Sequence, residues 1–362
     1  MSKAEYKRLG DYIREVNVRN RELKVTKPMG INIDKHFMPS VANVIGTDLS
    51  AYKLVTKNQF ACNLMHVGRD EKIPMAMHLD DTPIIVSPAY FVFEMVEPDV
   101  LLPKYLMMWF RRPEFDRNAW FYTDADVRGG MDKNALLDMR LPIPSITRQR
   151  EIVEEYETLS RRICLNNQMI QHLEATAQAL YRKTFVDNID KEKLPEGWRM
   201  GTIGELFELQ RGFDLPSQAR VGGKYPIYAS TGIAAYHNEY KVEPPCIVTG
   251  RSGTIGEVFY SNEKSWPLNT TLWVKDFKGT PSFFVYYKLK ELDLGKTVSG
   301  FAAVPTLNRN DVHMMETTIP PKDILLEFDS QMQVMHSNLC CIEQEKEKLT
   351  ELQSLLLTNM GQ

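Results

Sequence analysis

The sequence predicts an α+β fold: two pseudo-repeated α/β domains joined by two long helices that form an antiparallel coiled coil. Three observations predict it. An apolar heptad seam runs through the middle of the chain, a second runs along its C-terminal end, and the globular segments before each seam resemble one another.

The central seam comprises Ile152, Tyr156, Leu159 and Ile163, then Ile170, Leu173, Ala177 and Leu180. Steps of three and four residues place apolar side chains alternately at the a and d positions of a heptad. No Pro or Gly occurs between Ser145 and Phe185 to break the helix. At about 1.5 Å per residue such a helix is roughly 60 Å long, and its single narrow stripe needs a partner. The partner seam follows Pro321: Leu325, Phe328, Met332, Met335, Leu339, Ile342, Lys346, Leu349, Gln353 and Leu356. Asn166 on the first seam, and Lys346 and Gln353 on the second, place polar groups where they cost stability and fix register.

The repeat is read block by block. Residues 6–16 (YKRLGDYIREV) match 197–209 (GWRMGTIGELFEL). Val67-Gly68-Arg69-Asp70 lies 182 positions before Thr249-Gly250-Arg251-Ser252, and Phe91-Val92 lies at the same offset from Trp273-Val274. A helical segment follows in each copy (PKYLMMWFRRPEF; PSFFVYYKLKELDL). At an offset of 176, Met131 matches Leu307, Lys133 matches Arg309 and Asn134 matches Asn310. Each copy closes on a proline-marked junction, where a fixed φ suits a sharp entry into a helix. The linker carries Leu194-Pro195-Glu196-Gly197-Trp198, which ends the central helix, turns the chain and offers Trp198 to the second globule. The expected division is 1–144, 145–190, 191–320 and 321–362.

Composition bounds the function. With 43% hydrophobic and 25% charged residues the chain can build two cores. The polar N-terminus lacks a signal-peptide core, and no run of eighteen apolar residues predicts a membrane span. Five cysteines without CxxC spacing point to reduced thiols and a cytoplasmic setting. The net charge of −3 hides an uneven distribution: residues 1–144 carry 20 basic and 19 acidic groups, and 321–362 carry 3 and 7. The acidity therefore sits in the last helix, and the charge sum neither supports nor excludes a nucleic-acid partner.

Catalytic signatures are missing. There is no phosphate-cradling P-loop, and the glycine-dense stretch Gly250–Gly256 leads into strand-like EVFY where a dinucleotide fold needs a helix. No Asn-Pro-Pro-aromatic tetrapeptide occurs, so an amino-methyltransferase site is not expected. The seven histidines form no HxH or HxxxH pair. No catalytic residue, metal ligand or bound cofactor is assigned.

What is present is hydrogen-bonding chemistry. Arg suits bidentate contact with guanine or phosphate, and Gly lets a backbone approach a ligand closely. The first copy offers Lys53, Asn58, Arg69, Arg117 and Arg128. The second offers Arg211, Tyr228, Ser230, Thr231, Asn238, Arg251, Ser252, Thr254, Asn269 and Thr270. Each alone reads equally well as a solvated surface group; the recurrence of Arg69 and Arg251 at one offset is the stronger signal.

The layout, KLPEGW, GRSGTIG, LNTT and the IP-then-long-helix junctions together resemble the DNA-specificity subunit of type I restriction-modification enzymes, over essentially the whole chain. The resemblance implies a non-catalytic subunit with two target recognition domains. Each reads one half of a split site in double-stranded DNA, and the helices set the spacer. It further implies two methyltransferase subunits and restriction (motor-nuclease) subunits as partners, with S-adenosylmethionine, ATP and Mg held there. The first copy departs from the second in having Asp70 and Pro74 where the second has Ser252 and Gly256. Two other readings stay open at this point: a self-contained restriction enzyme or DNA methyltransferase, and a coiled-coil scaffold carrying two protein-binding domains.

Overall fold

The computed structural model describes residues 6–41, 46–65, 67–123, 129–297 and 306–360. The chain divides into two compact units, Met1–Asn166 with Glu345–Gln362, and Asn167–Gln344. Each unit thus takes a stretch of both long helices, where the sequence suggested separate globular and helical segments.

The first unit opens with β1 (Tyr6–Arg8), β2 (Ile13–Glu15), β3 (Pro28–Ile31), β4 (Phe37–Pro39), β5 (Lys53–Val55) and β6 (Phe60–Cys62). It continues through α1 (Val67–Asp70), β7 (Met75–Met77), β8 (Ile84–Val86), β9 (Phe91–Met95), α2 (Pro103–Phe110), α3 (Pro113–Phe121), α4 (Lys133–Asp138) and β10 (Arg140–Pro142). The helical segment foreseen from Pro103 is two helices. Pro113 occupies the first turn of α3, because its ring cannot extend α2 but fits a helix start. Strands order as β2-β9-β6-β7 and β4-β3-β8-β5, with β1 paired to β10. Phe60, Phe93, Phe110 and Tyr105 fill the core between the first sheet and α2.

The helix α5 (Ile146–Phe185) starts beside that core. Its Gln149 is fully buried. The Gln149 amide donates to the Val100 and Pro144 carbonyls at 2.9 Å each and accepts from the Leu102 N–H at 2.9 Å. A buried amide with all these partners fixes the helix entry, since losing one would leave a desolvated polar group.

The second unit repeats the plan with β11 (Arg199–Thr202), α6 (Ile203–Leu206), β12 (Glu208–Arg211), β13 (Tyr225–Ala229), β14 (Gly232–His237), β15 (Cys246–Gly250), β16 (Val258–Ser261), β17 (Trp266–Pro267) and β18 (Thr271–Asp276). Then come α7 (Ser282–Glu291), α8 (Leu294–Thr297), α9 (Arg309–His313), β19 (Glu316–Ile319) and α10 (Lys322–Asn359). The sheet β12-β18-β15-β16 reproduces β2-β9-β6-β7, and β14-β13-β17 reproduces β4-β3-β8 with its parallel pair. Equivalent backbone bonds tie the copies' ends together. Leu9 N–H meets the Met139 carbonyl at 2.8 Å, and Ile203 N–H meets Met315 at 3.0 Å. Both short helices start on a side-chain cap, from Asp132 to Asn134 N–H and from Asn308 to Asn310 N–H. Trp198 packs on the second core and lies 6.1 Å from the Phe185 ring.

Both seams are buried or half-buried at every heptad position named from the sequence. In the first unit Ile152, Val153 and Tyr156 of α5 meet Leu356, Leu357 and Met360. Arg162 clasps Glu345 through two bonds of 2.9 and 3.1 Å, and Gln353 donates to Ser160 at 2.6 Å. In the second unit Ala177, Tyr181 and Phe185 meet Leu325, Phe328 and Met332. Rising numbers on α5 meet falling numbers on α10 in each unit, so the pairing is antiparallel. Asn166 is fully buried and bonds Glu345 at 3.1 Å, which makes it a register-setting contact.

One titratable group sits inside the second unit's aromatic packing. His336 stacks on Phe283 with centroids 4.4 Å apart, bonds the Tyr287 hydroxyl at 3.0 Å, and is flanked by Tyr260 and Tyr286. Burial, helped by the Lys290 charge, pulls its pKa down to about 4. The unfolded chain, with an ordinary value of 6.5, then binds a proton that the folded unit refuses. Stability is full above pH 6.5 and falls as the pH drops toward 4. The loss, screened by solvent, is about 1 kcal/mol. Urea titrations of wild type and His336→Phe at pH 7 and 5 check this: the variant should lose less stability between the two.

Candidate nucleic-acid interface

In the second unit several candidate residues converge at one edge of the β12-β18-β15-β16 sheet. β12 ends at Arg211, β15 ends at Gly250, and β18 starts at Thr271. The loops leaving these strands lock together through backbone bonds. Arg251 and Ser252 N–H both donate to the Thr270 carbonyl, at 2.9 and 3.1 Å, and Asn269 N–H donates to Phe213 at 3.0 Å. Gly250 is required here, since a Cβ would lie 1.8 Å from the Thr254 carbonyl oxygen. The Ser230 side chain closes the same loop: a Cβ on Gly253 would lie 3.4 Å from its Oγ.

A cleft of about 600 Å³ opens at this edge, lined by Arg211, Asp214, Arg251, Asn308 and Arg309 among others. Arg211 reaches Asp214 at 3.5 Å, and Asn269 also donates to Asp214. Among the described residues the Arg251 guanidinium bonds the Asn269 carbonyl alone, at 3.4 Å. Among the described residues no carboxylate lies within ion-pair distance of it, so this half-buried cation is held in place while keeping donors for an incoming acceptor.

Thr231 and Thr254 are exposed near this loop cluster in sequence, and Asn238 is exposed beyond the far end of β14. Asn238 donates its N–H to the Val221 carbonyl at 3.1 Å and so belongs to another edge. Tyr228 is buried, and its hydroxyl pKa is raised by that burial; it packs the core under the loops. Arg309 and Asp214 were not among the residues singled out from the sequence. The offset linking Lys133 to Arg309 was the available signal for Arg309.

The first unit places its candidates differently. Lys53 is only 6% exposed and donates its ammonium to the Tyr90 carbonyl at 2.6 Å. Burial lowers its pKa, opposed by Glu15 and helped by Arg19 and Lys133. Asn58 is exposed in the turn between β5 and β6 with φ of 65°. Arg117 lies on α3, paired with Glu114 at 3.3 Å. Arg128 lies outside the described residues. Lys133, the counterpart of Arg309, is an exposed cation in the first unit and is bonded to Glu15 at 2.9 Å.

The matched Gly-Arg turns require a correction. Phe91 and Phe93 enter the first unit's main core as Leu272 and Val274 enter the second's, so Phe91 is equivalent to Leu272 and not to Trp273, which packs in a separate cluster. Phe91 pairs with Cys62 and Leu272 with Thr249, so the first copy carries six extra residues between β6 and β9. The bond from Leu307 N–H to the Arg251 carbonyl has its counterpart in Met131 N–H to Leu64. Leu64 thus stands where Arg251 stands. Arg69 instead belongs to α1 and is held by Asp70 at 2.7 and 3.0 Å.

Among the described residues no cluster of His, Cys, Asp or Glu could hold a metal ion, and no helix is long and apolar enough to cross a membrane. The functional chemistry on view is a set of fixed donors at a sheet edge.

Residues 195–354 match the family described as type I restriction modification DNA specificity domain. Among solved structures, the chain is similar to a type I restriction-modification system S subunit from M. genitalium, with a TM-score of 0.66, 14% identity, and 99% of this chain and 97% of that one covered. It is also similar to a chain from a structure on complex assembly and conformational transition of the type I R-M system. There the TM-score is 0.53 at 15% identity, covering 100% of this chain and 98% of that one. No curated protein matches significantly by sequence.

Proposed function

We propose that the chain, whose residues 195–354 match the family described as type I restriction modification DNA specificity domain, is the specificity subunit of a type I restriction-modification complex. Each unit reads one half of a bipartite site in double-stranded DNA, and the paired helices set the distance between half-sites and dock methyltransferase subunits. The chain supplies the address. Methyl transfer with S-adenosylmethionine, and ATP- and Mg-dependent cleavage, belong to methyltransferase and restriction subunits.

The observation that carries this reading is the cleft with Arg251 held at the end of a sheet whose strand order recurs in both units. Fixed Arg donors beside backbone N–H groups suit a polyanion whose base edges carry acceptors. Two units of one design suit a target of two parts. A cytoplasmic setting follows from the same role, since the substrate is the cell's DNA.

The test is co-expression with a cognate methyltransferase subunit followed by modified-base sequencing. A bipartite motif with a fixed spacer is the expected result. Exchanging residues 197–320 for those of a chain of different specificity should change one half-site and leave the other intact. A single contiguous motif, methylation by the purified chain alone, or DNA retention insensitive to salt and sequence would each argue for another function.

A further inference from the structure

The C-terminal end of α3 exposes three consecutive aromatic side chains. Trp120 is 47%, Phe121 80% and Tyr122 49% exposed. The Phe121 and Tyr122 rings meet edge to face, 5.3 Å apart. The helix does not need them outward. Its inner face is closed by Phe115 and Ala119, and Thr123 Oγ1 caps the end by donating to the Trp120 carbonyl at 2.7 Å.

Two exposed, ion-paired arginines border it beside the edge described above. Arg117, one turn earlier, has its side chain 71% exposed and is paired with Glu114 on the same helix. A Cβ on Gly68 would lie 3.2 Å from Thr123 Oγ1, so Arg69, with its side chain 63% exposed, is adjacent to this end of α3. Thr123 bridges to Met131, which bonds the Leu64 carbonyl. That bond is the counterpart of the one ordering Arg251 in the second unit. The aromatic run is therefore continuous with the first unit's version of the cleft edge, where Leu64 supplies no guanidinium.

We infer that Phe121, flanked by Trp120 and Tyr122, is an apolar wedge that enters a base step of the duplex bound by the first unit, with Arg117 and Arg69 holding the adjoining phosphates. Aromatic faces stack on any base, and apolar wedges unstack and kink a step. Exposed pairs such as Arg117–Glu114 are weak enough to exchange a carboxylate for a phosphate. Among the described residues after α7 the second unit reads Leu292-Asp293-Leu294, with Leu294 buried. The inference rests on the DNA-reading function proposed above.

The test uses the full chain bound to its methyltransferase partner and a duplex carrying the sequenced motif. 2-Aminopurine is placed in turn at each step of the half-site that survives exchange of 197–320. One position should brighten on binding. Phe121→Ala should abolish that rise and weaken retention about tenfold, and Phe121→Trp should preserve both. A rise and an affinity unchanged in Phe121→Ala would overturn the wedge while leaving DNA reading intact. Failure of the wild-type complex to retain the duplex would overturn both. Loss of methyltransferase co-purification by Phe121→Ala without DNA would assign the patch to a protein partner and also overturn the wedge.

Discussion

Replacing Asp116 with alanine should destabilise the first unit by about 3–5 kcal/mol. Lys35 is 4% exposed in the loop between β3 and β4, and its ammonium lies 2.7 Å from Asp116 on α3 and 2.8 Å from the Ile73 carbonyl. Asp116 also accepts the Ile73 N–H at 3.2 Å. Burial lowers the Lys35 pKa, and Asp116 is the main influence raising it. Removing the carboxylate leaves a desolvated, unpaired ammonium as well as an unpaired Ile73 N–H, whereas removing both charges leaves no buried charge and only the Ile73 backbone groups without side-chain partners. The double variant Lys35→Met with Asp116→Leu should therefore be much closer to wild type than Asp116→Ala alone. Urea unfolding gives the comparison, and hydrogen exchange across 28–39 should locate the damage in the β3–β4 hairpin. Equal losses in the single and double variants would show that the pair's charge is not what holds this hairpin.

The second large effect concerns DNA discrimination. Arg251→Ala should leave the partner-bound complex assembled and still attracted to DNA at low salt. It should lose about 10- to 100-fold of its preference for the cognate half-site of the second unit. The reason is geometric: the loop carrying Arg251 is pinned by Thr270 and Leu307, so its guanidinium is presented with little freedom to lose. Arg211→Ala, which removes a more exposed group next to Asp214, should weaken binding evenly across sequences and flatten the salt dependence. Fluorescence anisotropy against cognate and single-substituted duplexes separates the two. A half-site preference unchanged in Arg251→Ala would remove this residue from base reading.

The heptad seams were legible because helical periodicity repeats over ten or more residues, and tertiary packing has no reason to contradict a stripe that long. The α4 and α9 match was legible for a related reason: the 176-residue offset spans no insertion, so Met131 and Leu307 make equivalent bonds. Short polar sites were less legible. Lys53 looked like a surface cation, and its burial depends on Tyr90, 37 residues away. Gln149 and the Lys35–Asp116 pair carried no local signal, because each is defined by partners distant in sequence.

The sequence by itself determined two globules of one design, two long helices with antiparallel seams, and the absence of familiar catalytic motifs, since those are written in periodicity, order and spacing. Only the tertiary structure decided which arginine occupies the cleft. Six extra residues between β6 and β9 slide Arg69 out of the position that Arg251 holds. Strand pairing, which fixes side chains by hydrogen-bond register and not by residue count, settles such a difference.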